Sequence, residues 1–253
     1  MTLPRAFYDV PFAHRALHDV NDGRPENSRA AIRAAIAAGY GIEVDVQLSA
    51  DGAAMVFHDY VLDRLTAHSG ALRLARAVEL GQTPLKGGDE GIPTLDEVLG
   101  LVAGQVPLLI ELKDQDGGMG RDIGSLENAV TQALTGYTGP VAVMSFNPHA
   151  VARMAEALPD VPRGMTTSAY RYEAWPLPRA TCDRLRTIPD YDRVGASFIS
   201  HELDDLARDR VSELRDKGAL ICCWTVRDGL QEAQARRVAH NITFEGYLPV
   251  IAA

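Results

Sequence analysis

Residues 41–48 read Gly-Ile-Glu-Val-Asp-Val-Gln-Leu, and this stretch decides the fold. The alternation of an extended strand places Glu43 and Asp45 on one face and aliphatic side chains on the other. The aliphatic face predicts contact with helices. The acidic face would then point into a barrel, where two carboxylates are costly without a cation or hydrogen bonds. An antiparallel strand with a solvated polar face is the alternative that these residues leave open.

The same pattern recurs at Val106–Lys113, where Glu111 and Lys113 share one face. Together with Glu43 and Asp45, Glu111 completes a set of three carboxylates at the ends of two strands. Oxygen ligands without a Cys or His cluster suit a hard cation, Mg²⁺, Ca²⁺ or Mn²⁺, rather than Zn²⁺. Lys113 is interpreted either as an ion-pair partner of Glu111 or as a cation directed at a substrate oxygen.

Short apolar runs alternate with segments of helical period along the chain, which is typical of strand–helix units around a parallel sheet. The eight principal strands are predicted at Phe12–Ala16, Gly41–Leu48, Val106–Lys113, Pro140–Phe146, Val161–Thr167, Ala196–Ser200, Ala219–Val226 and Asn241–Phe244. Eight such strands predict a single TIM-type (β/α)8 barrel domain over residues 1–253.

An Asp51-Gly52 turn and a short strand, Ala54–His58, follow strand two, and a short insertion over about residues 66–91 is expected at the barrel mouth. Helices are predicted at Ser28–Ala38, Thr94–Val102, Ser125–Leu134, His149–Ala157, Asp205–Lys217 and Gly229–Ala239. No helix is assigned between the fifth and sixth of these strands, and no full helix after the eighth.

Composition narrows the class of protein. With 253 residues, 46% apolar and 23% charged, the chain has globular proportions. Its net charge of −9 disfavours nucleic acid and anionic lipid as partners. Three cysteines without metal-type spacing fit a reducing compartment, and no apolar run reaches the roughly 18 residues of a membrane span. We expect a soluble cytoplasmic protein without stable membrane association, and the sequence does not indicate its oligomeric state.

Two histidines stand at strand ends. His14 and Arg15 end the first predicted strand, and His58 ends the short strand after strand two. Because imidazole titrates near neutral pH, such a pair can deprotonate the attacking oxygen and protonate the departing one in phosphodiester cleavage. Taken alone, either histidine is more typical of a surface or packing residue, and Arg15 is also compatible with an ordinary salt bridge instead of bidentate phosphate contact. The histidines interpreted as surface or packing residues are His18, His68, His149, His201 and His240.

Over residues 12–113 the chain resembles the glycerophosphodiester phosphodiesterase family. The resemblance is carried, in order, by His14-Arg15, Pro25–Ser28, Ala35–Gly39, Ile42–Val46, Asp51-Gly52, Val56–Asp59, Leu62–Thr66, Pro93–Val98 and Ile110–Lys113. Beyond these motifs it thins to Ser145-Phe146 and Trp224-Thr225. Roughly half of the chain therefore carries specific resemblance.

The resemblance implies metal-dependent hydrolysis of a small glycerophosphodiester to sn-glycerol 3-phosphate and an alcohol. The implied cofactor is one divalent cation, Mg²⁺ or Ca²⁺, with Mn²⁺ as a further option. The implied residues are the acid/base pair His14 and His58, the metal ligands Glu43, Asp45 and Glu111, and the substrate contacts Arg15, Lys113 and Trp224. Trp224 is also compatible with a core position. Glu26 is expected to orient Arg15 or the metal ligands, or to act as a charge near a helix N-terminus.

The chain departs from the family pattern at two points that bear on the site. Ala16 follows His14-Arg15 where glycine is usual, and Phe244-Glu245 stands where the family has a Thr-Asp pair. Two other functions remain open: a related phosphodiesterase acting on lysophospholipid or another phosphodiester, and a barrel that binds without turnover. The intact histidines and carboxylates favour catalysis, and the absence of a basic amphipathic segment disfavours a lipid substrate.

Overall fold

The computed structural model describes residues 3–251. Its strands are β1 (Phe12–Ala13), β2 (Gly41–Leu48), β3 (Ala54–Val56), β4 (Leu108–Leu112), β5 (Val141–Ser145), β6 (Arg163–Thr167), β7 (Phe198–Glu202), β8 (Leu220–Val226) and β9 (Asn241–Phe244). Its α-helices are α1 (Ala6–Asp9), α2 (Arg29–Ala38), α3 (Ala77–Gly81), α4 (Leu95–Val102), α5 (Ser125–Leu134), α6 (Pro148–Ala157), α7 (Arg179–Arg186), α8 (Asp209–Asp216) and α9 (Gly229–Ala235).

Eight of these strands run parallel and close into a barrel. β1 pairs with β2 on one side and with β9 on the other, so that the sheet has no free edge among the parallel strands. The TIM-type (β/α)8 barrel expected from the sequence is confirmed. In β2, Ile42, Val44 and Val46 join the core beneath the helices, so Glu43 and Asp45 face the barrel interior. The solvated antiparallel alternative is therefore wrong for this strand.

The closed end of the barrel is filled by side chains. Phe7 of α1 packs on Phe12 of β1 with ring centroids 5.3 Å apart. The side-chain amide of Asn241 donates hydrogen bonds to the carbonyls of Phe7 and Val10, which hold α1 across this end of the barrel. Gly164 leaves the space that the Phe198 ring occupies, because a Cβ there would lie 2.3 Å from a ring carbon. These contacts leave the open end for the polar side chains.

The hairpin formed by β2 and β3 departs from simple strand–helix alternation, as expected. β1 pairs only with the start of β2. The last residues of β2 therefore pair with β3 in antiparallel register, with Val46 opposite Val56. The backbone N–H of Phe57 then donates to the Asp45 carbonyl at 2.9 Å. The chain thus turns back toward the barrel mouth, and His58 comes to lie beside β2.

The segment that follows has a small core of its own. Phe57, Leu62, Leu72, Leu80 and Ile92 form a buried cluster separate from the main core. A 3-10 turn and the short helix α3 lie within the predicted insertion, which is therefore more ordered than its irregular sequence indicates. Burial of these apolar side chains fixes the segment beside the barrel.

Some predicted boundaries were wrong. β1 ends at Ala13, and Arg15 and Ala16 adopt positive φ angles of 52° and 64°, which no strand residue does. The segment predicted as a helix from Asp205 to Lys217 begins with a 3-10 turn and becomes α-helical only at Asp209. α9 ends at Ala235, short of the predicted Ala239.

Helix α7 was missed because its sequence offers only a narrow apolar stripe. Cys182 and Leu185 are its buried residues, and apart from Ala180 the rest of the helix is polar or charged. After β9 no helix follows within the described residues, as the sequence predicts. Between residues 3 and 251, no helix has the combined length and apolar character that crossing a membrane requires.

Candidate active site

Three carboxylates meet inside the barrel mouth. Asp45 of β2 stands opposite Glu111 of β4 in the parallel register, and Glu43 lies one interior position below Asp45. One oxygen from each residue lies within 4.8 Å of the others. The three are 2%, 3% and 6% exposed, so their charges are almost fully desolvated. Such a group needs cationic compensation.

The compensation is uneven. Burial, followed by the charges of Asp45 and Glu111, raises the pKa of Glu43 well above its usual range. Burial acts in the same direction on Asp45, but Lys113, His58 and Arg15 outweigh it and lower the pKa of Asp45. Cationic side chains therefore favour the ionised form of Asp45, whereas burial and the two neighbouring carboxylates disfavour the ionised form of Glu43. A divalent cation would relieve this repulsion.

The donor set fits a hard cation. Neighbouring donors hold one oxygen of each carboxylate: the Arg15 backbone N–H holds Glu43 Oε2 at 2.9 Å, Asn27 holds Asp45 Oδ2 at 3.1 Å, and Thr166 approaches Glu111 Oε2 at 3.3 Å. These bonds orient the side chains, and the second oxygens of Asp45 and Glu111 face Lys113. Neither Asn27 nor Thr166 was assigned this role from the sequence.

Lys113 binds the same carboxylates. Its Nζ lies 3.0 Å from Glu111 Oε1 and 3.5 Å from Asp45 Oδ1. Burial disfavours its charge, but these two partners outweigh burial and raise the pKa of Lys113. The ion pair considered from the sequence is therefore present. Because the ammonium also lines the cavity, it lies where a substrate oxygen could approach.

A carboxylate orients each of the two histidines. Nδ1 of His14 lies 2.8 Å from Oε2 of Glu245, and Nδ1 of His58 lies 2.7 Å from Oδ1 of Asp59. A carboxylate on Nδ1 favours the tautomer that leaves Nε2 for proton exchange with substrate. The hydrogen bond from His14 lowers the pKa of Glu245 to about 2. Burial lowers the pKa of His14 itself, although Glu245 opposes this effect.

A chain of ion pairs links the two sides of the site. Arg15 Nη1 donates to Glu26 Oε1 at 2.8 Å, so Glu26 orients Arg15 rather than acting only as a helix charge. Arg64 donates to both oxygens of Glu26 at 2.8 Å and to Asp59 at 2.7 and 2.8 Å. Asp59 in turn contacts His58. Arg64 lies in the Leu62–Thr66 motif, but no role was assigned to it because nothing in the local sequence indicates its partners.

All eight residues singled out from the sequence line one cavity of about 360 Å³: His14, Arg15, Glu43, Asp45, His58, Glu111, Lys113 and Trp224. Trp224 donates from Nε1 to the Ser200 carbonyl at 2.9 Å and packs edge-on against Phe146. Its ring is thus held in the wall and lines the cavity, which fits both interpretations of this residue. Among the described residues, no other histidine lines this cavity. His201, for example, is buried and bonds to Thr167 at 2.8 Å.

Glu245 is the main residue that the sequence interpretation missed. It directly follows β9, at the position where the chain departs from the family pattern, and only barrel closure brings it to His14. A carboxylate at the end of the last strand was the available signal, since residues at the carboxyl ends of barrel strands gather at one mouth.

The fold and the site define a barrel enzyme of the hydrolase class. The sequence model of the glycerophosphoryl diester phosphodiesterase family matches residues 14–241, and the chain belongs to that family. A Bacillus subtilis protein with the provisional name glycerophosphodiester phosphodiesterase YhdW is 30% identical over 215 residues, covering 81% of this chain and 82% of its own.

Solved structures show the same fold. An Oleispira antarctica phosphodiesterase, solved with its product sn-glycerol-3-phosphate, superposes with a TM-score of 0.76 at 24% identity and covers 94% of each chain. A glycerophosphodiester phosphodiesterase from Thermotoga maritima superposes with a TM-score of 0.70 at 22% identity, covering 93% of this chain and 94% of its own.

Proposed function

We propose that the protein hydrolyses glycerophosphodiesters to sn-glycerol 3-phosphate and an alcohol, with one divalent cation and with His14 and His58 as the acid/base pair. The observation that carries the proposal is the single cavity in which both histidines, each held at Nδ1 by a carboxylate, face the same three buried carboxylates. Family membership supplies the reaction class.

Glu43, Asp45 and Glu111 would hold the cation, Mg²⁺ or Ca²⁺ with Mn²⁺ as a further option. When bound, it would neutralise negative charge on the phosphodiester. Arg15 and Lys113 add positive charge at the same wall of the cavity and would contact the non-bridging oxygens of the phosphate. Glu26 holds the guanidinium of Arg15 in place for this contact.

His14 serves as the base in this proposal. Burial favours its neutral form, and Glu245 directs the proton to Nδ1, so Nε2 can accept a proton from the attacking hydroxyl. The oxygen so activated bonds to phosphorus, and the bond from phosphorus to the alcohol oxygen breaks. His58, held at Nδ1 by Asp59, gives its proton to the departing oxygen. Water is consumed, and glycerol phosphate and the free alcohol are the products.

The attacking hydroxyl is either water or the neighbouring 2-hydroxyl of the glycerol. The second route gains from proximity and passes through a cyclic phosphate, which water then opens. Phosphorus NMR during turnover distinguishes them, since a transient cyclic species appears only on the intramolecular route.

The proposal is tested by measuring glycerol 3-phosphate released from glycerophosphocholine, glycerophosphoethanolamine and glycerophosphoglycerol. Assays with Mg²⁺ or Ca²⁺ are compared with EDTA and with His14→Ala. Release that EDTA and the substitution both abolish supports the proposal. Metal binding without release from any of the three would leave a binding barrel and refute catalysis on these substrates.

We also propose a cytoplasmic location. Cys182, Cys222 and Cys223 are free and buried. Buried thiols without disulfide partners are typical of a reducing compartment. Fractionation of native cells, followed by detection of the protein, tests this placement.

A further inference from the structure

A second cavity of about 370 Å³ opens beside the first. The two share His58, Glu111, Lys113, Phe146 and Trp175 in their linings and are therefore adjacent. His58 lies at their junction, whereas His14 lines only the first cavity. The second cavity therefore extends the site on the side of His58.

The outer walls of this space are apolar. We call it the His58 groove and define it by Tyr60, Val61, Met119, Phe146 and Trp175. Phe146 and Trp175 pack edge to face with centroids 4.9 Å apart, which gives the groove a fixed aromatic wall. Tyr60 and Val61 are 50% and 44% exposed at its rim. Exposed apolar side chains beside a charged site favour an apolar ligand group.

The carboxylates along the groove already accept bonds from other groups of the protein. Asp59 is bound by Arg64 at 2.7 Å, and Glu111 by Lys113 at 3.0 Å. Asp114 is 5% exposed and accepts hydrogen bonds from one side-chain amide and two backbone N–H groups. An ammonium group entering the groove would lose water and would have to compete with these donors for a carboxylate oxygen, which is costly.

We propose that the His58 groove binds the leaving alcohol, and that the substrates are glycerophosphodiesters whose alcohol carries a hydrocarbon segment rather than a charged amine. The proposal rests on the proposed function, in which His58 gives its proton to the departing alcohol oxygen. That oxygen must then lie next to His58, and the rest of the alcohol extends into the adjoining groove.

The test is a series of glycerophosphate esters assayed with the metal-loaded full chain. The alcohol is lengthened from methyl to hexyl, and the ethanolamine ester is compared alongside. Each buried methylene should raise kcat/KM by about two- to four-fold, and the ethanolamine ester should rank with the shortest alkyl esters. A second comparison sets the choline ester against its neutral 3,3-dimethylbutyl isostere, and the neutral ester is expected to be the better substrate.

Two exposed valines provide matched variants. Val61→Asp puts a charge at the rim of the groove. It should lower the ratio of kcat/KM for the hexyl ester to kcat/KM for the methyl ester by at least about five-fold. Val78→Asp makes the same change in α3 at a residue that is 59% exposed and lines neither cavity, and should leave this ratio unchanged. Equal effects of the two variants would overturn the assignment of the groove.

The outcomes separate this inference from the proposed function. Hydrolysis of all esters with no dependence on chain length keeps the function and refutes the groove. A preference for choline over its neutral isostere also refutes it, because cation–π contact with the aromatic wall would then select the alcohol. If no ester is hydrolysed, the proposed function fails. Calorimetric Kd values of the same esters then decide the groove, and a Kd independent of chain length overturns it.

Discussion

Oε2 of Glu245 lies 2.8 Å from Nδ1 of His14, although 231 residues separate them in the chain. Closure of the barrel between β1 and β9 brings the two together, so the last strand supplies the partner of the first histidine. In the described structure no other carboxylate hydrogen-bonds to His14. The geometry of this histidine therefore depends on a residue that the family pattern does not indicate.

We expect Glu245→Gln to lower kcat/KM by about 10²- to 10⁴-fold, because an amide no longer fixes the tautomer of His14. Glu245 raises the pKa of His14 against the effect of burial, so its removal should move the acidic limb of the kcat/KM profile to lower pH. A full pH profile measures both effects. Glu232→Gln, in α9 and outside the cavity, is the control and should retain the wild-type profile. An unshifted limb in Glu245→Gln would contradict the assigned role of this pair.

His58→Ala should depend strongly on the leaving group. With an alkyl alcohol we expect a loss of about 10²- to 10⁴-fold, since the departing alkoxide lacks its acid. With a nitrophenol ester, whose oxygen leaves without protonation, most of this loss should disappear. His14→Ala should lose activity equally on both esters. The reverse pattern would exchange the acid and base assignments, and identical behaviour of the two variants would refute both.

Arg64 should support activity without touching substrate. It bridges Glu26 and Asp59, and through them Arg15 and His58, so Arg64→Ala should lower kcat by about 10- to 100-fold. Arg64→Lys should recover only part of this loss, because an ammonium cannot make both paired contacts.

Lys86→Ala is the matched control for Arg64. Lys86 holds the same loop through the carbonyls of Asp63 and Arg64 but does not contact the two carboxylates that Arg64 bridges. We expect its kcat to stay within about three-fold of wild type. A comparable loss in both variants would mean that Arg64 acts only by holding the loop.

In the metal-free protein, the free energy of unfolding should fall as the pH rises above about 4.5. The pKa of Glu43 is raised well above its ordinary value of 4.5, chiefly by burial and then by Asp45 and Glu111. Between these two values the folded state keeps a proton that the unfolded state has released, so stability decreases with rising pH until the raised pKa is passed. Urea unfolding in EDTA measures the slope.

Glu43→Gln should be more stable than wild type in this pH window, since the neutral amide folds without the proton that the buried Glu43 carboxyl must take up. Added Mg²⁺ or Ca²⁺ should stabilise wild type more than Glu43→Gln, because the variant lacks one ligand. Parallel stability profiles of the two proteins, with and without cation, would argue against a metal site at this position.

The sequence predicted the carboxylate cluster because local rules fix it. Alternation in β2 determines the faces of Glu43 and Asp45, and parallel strands end at one edge, which brings Glu111 to them. The same rules do not predict contacts that form when the barrel closes or when loops pack together. The pairing of Glu245 with His14, and that of Arg64 with Glu26, depend on backbone paths between distant segments. The positive φ of Arg15 is likewise set by its tertiary surroundings.

The β2–β3 hairpin fixes the backbone at His58 before the insertion begins. Its ladder is complete at Val56, and Gln47 then holds the His58 carbonyl at 2.9 Å. The backbone is therefore fixed up to His58 before the insertion at about residue 66 begins. Relatives could lengthen, shorten or replace that insertion and so remodel the rim of the barrel, while the spacing between this histidine and the carboxylates of β2 stays constant. The hairpin thus allows the insertion to change in length without moving the backbone at His58.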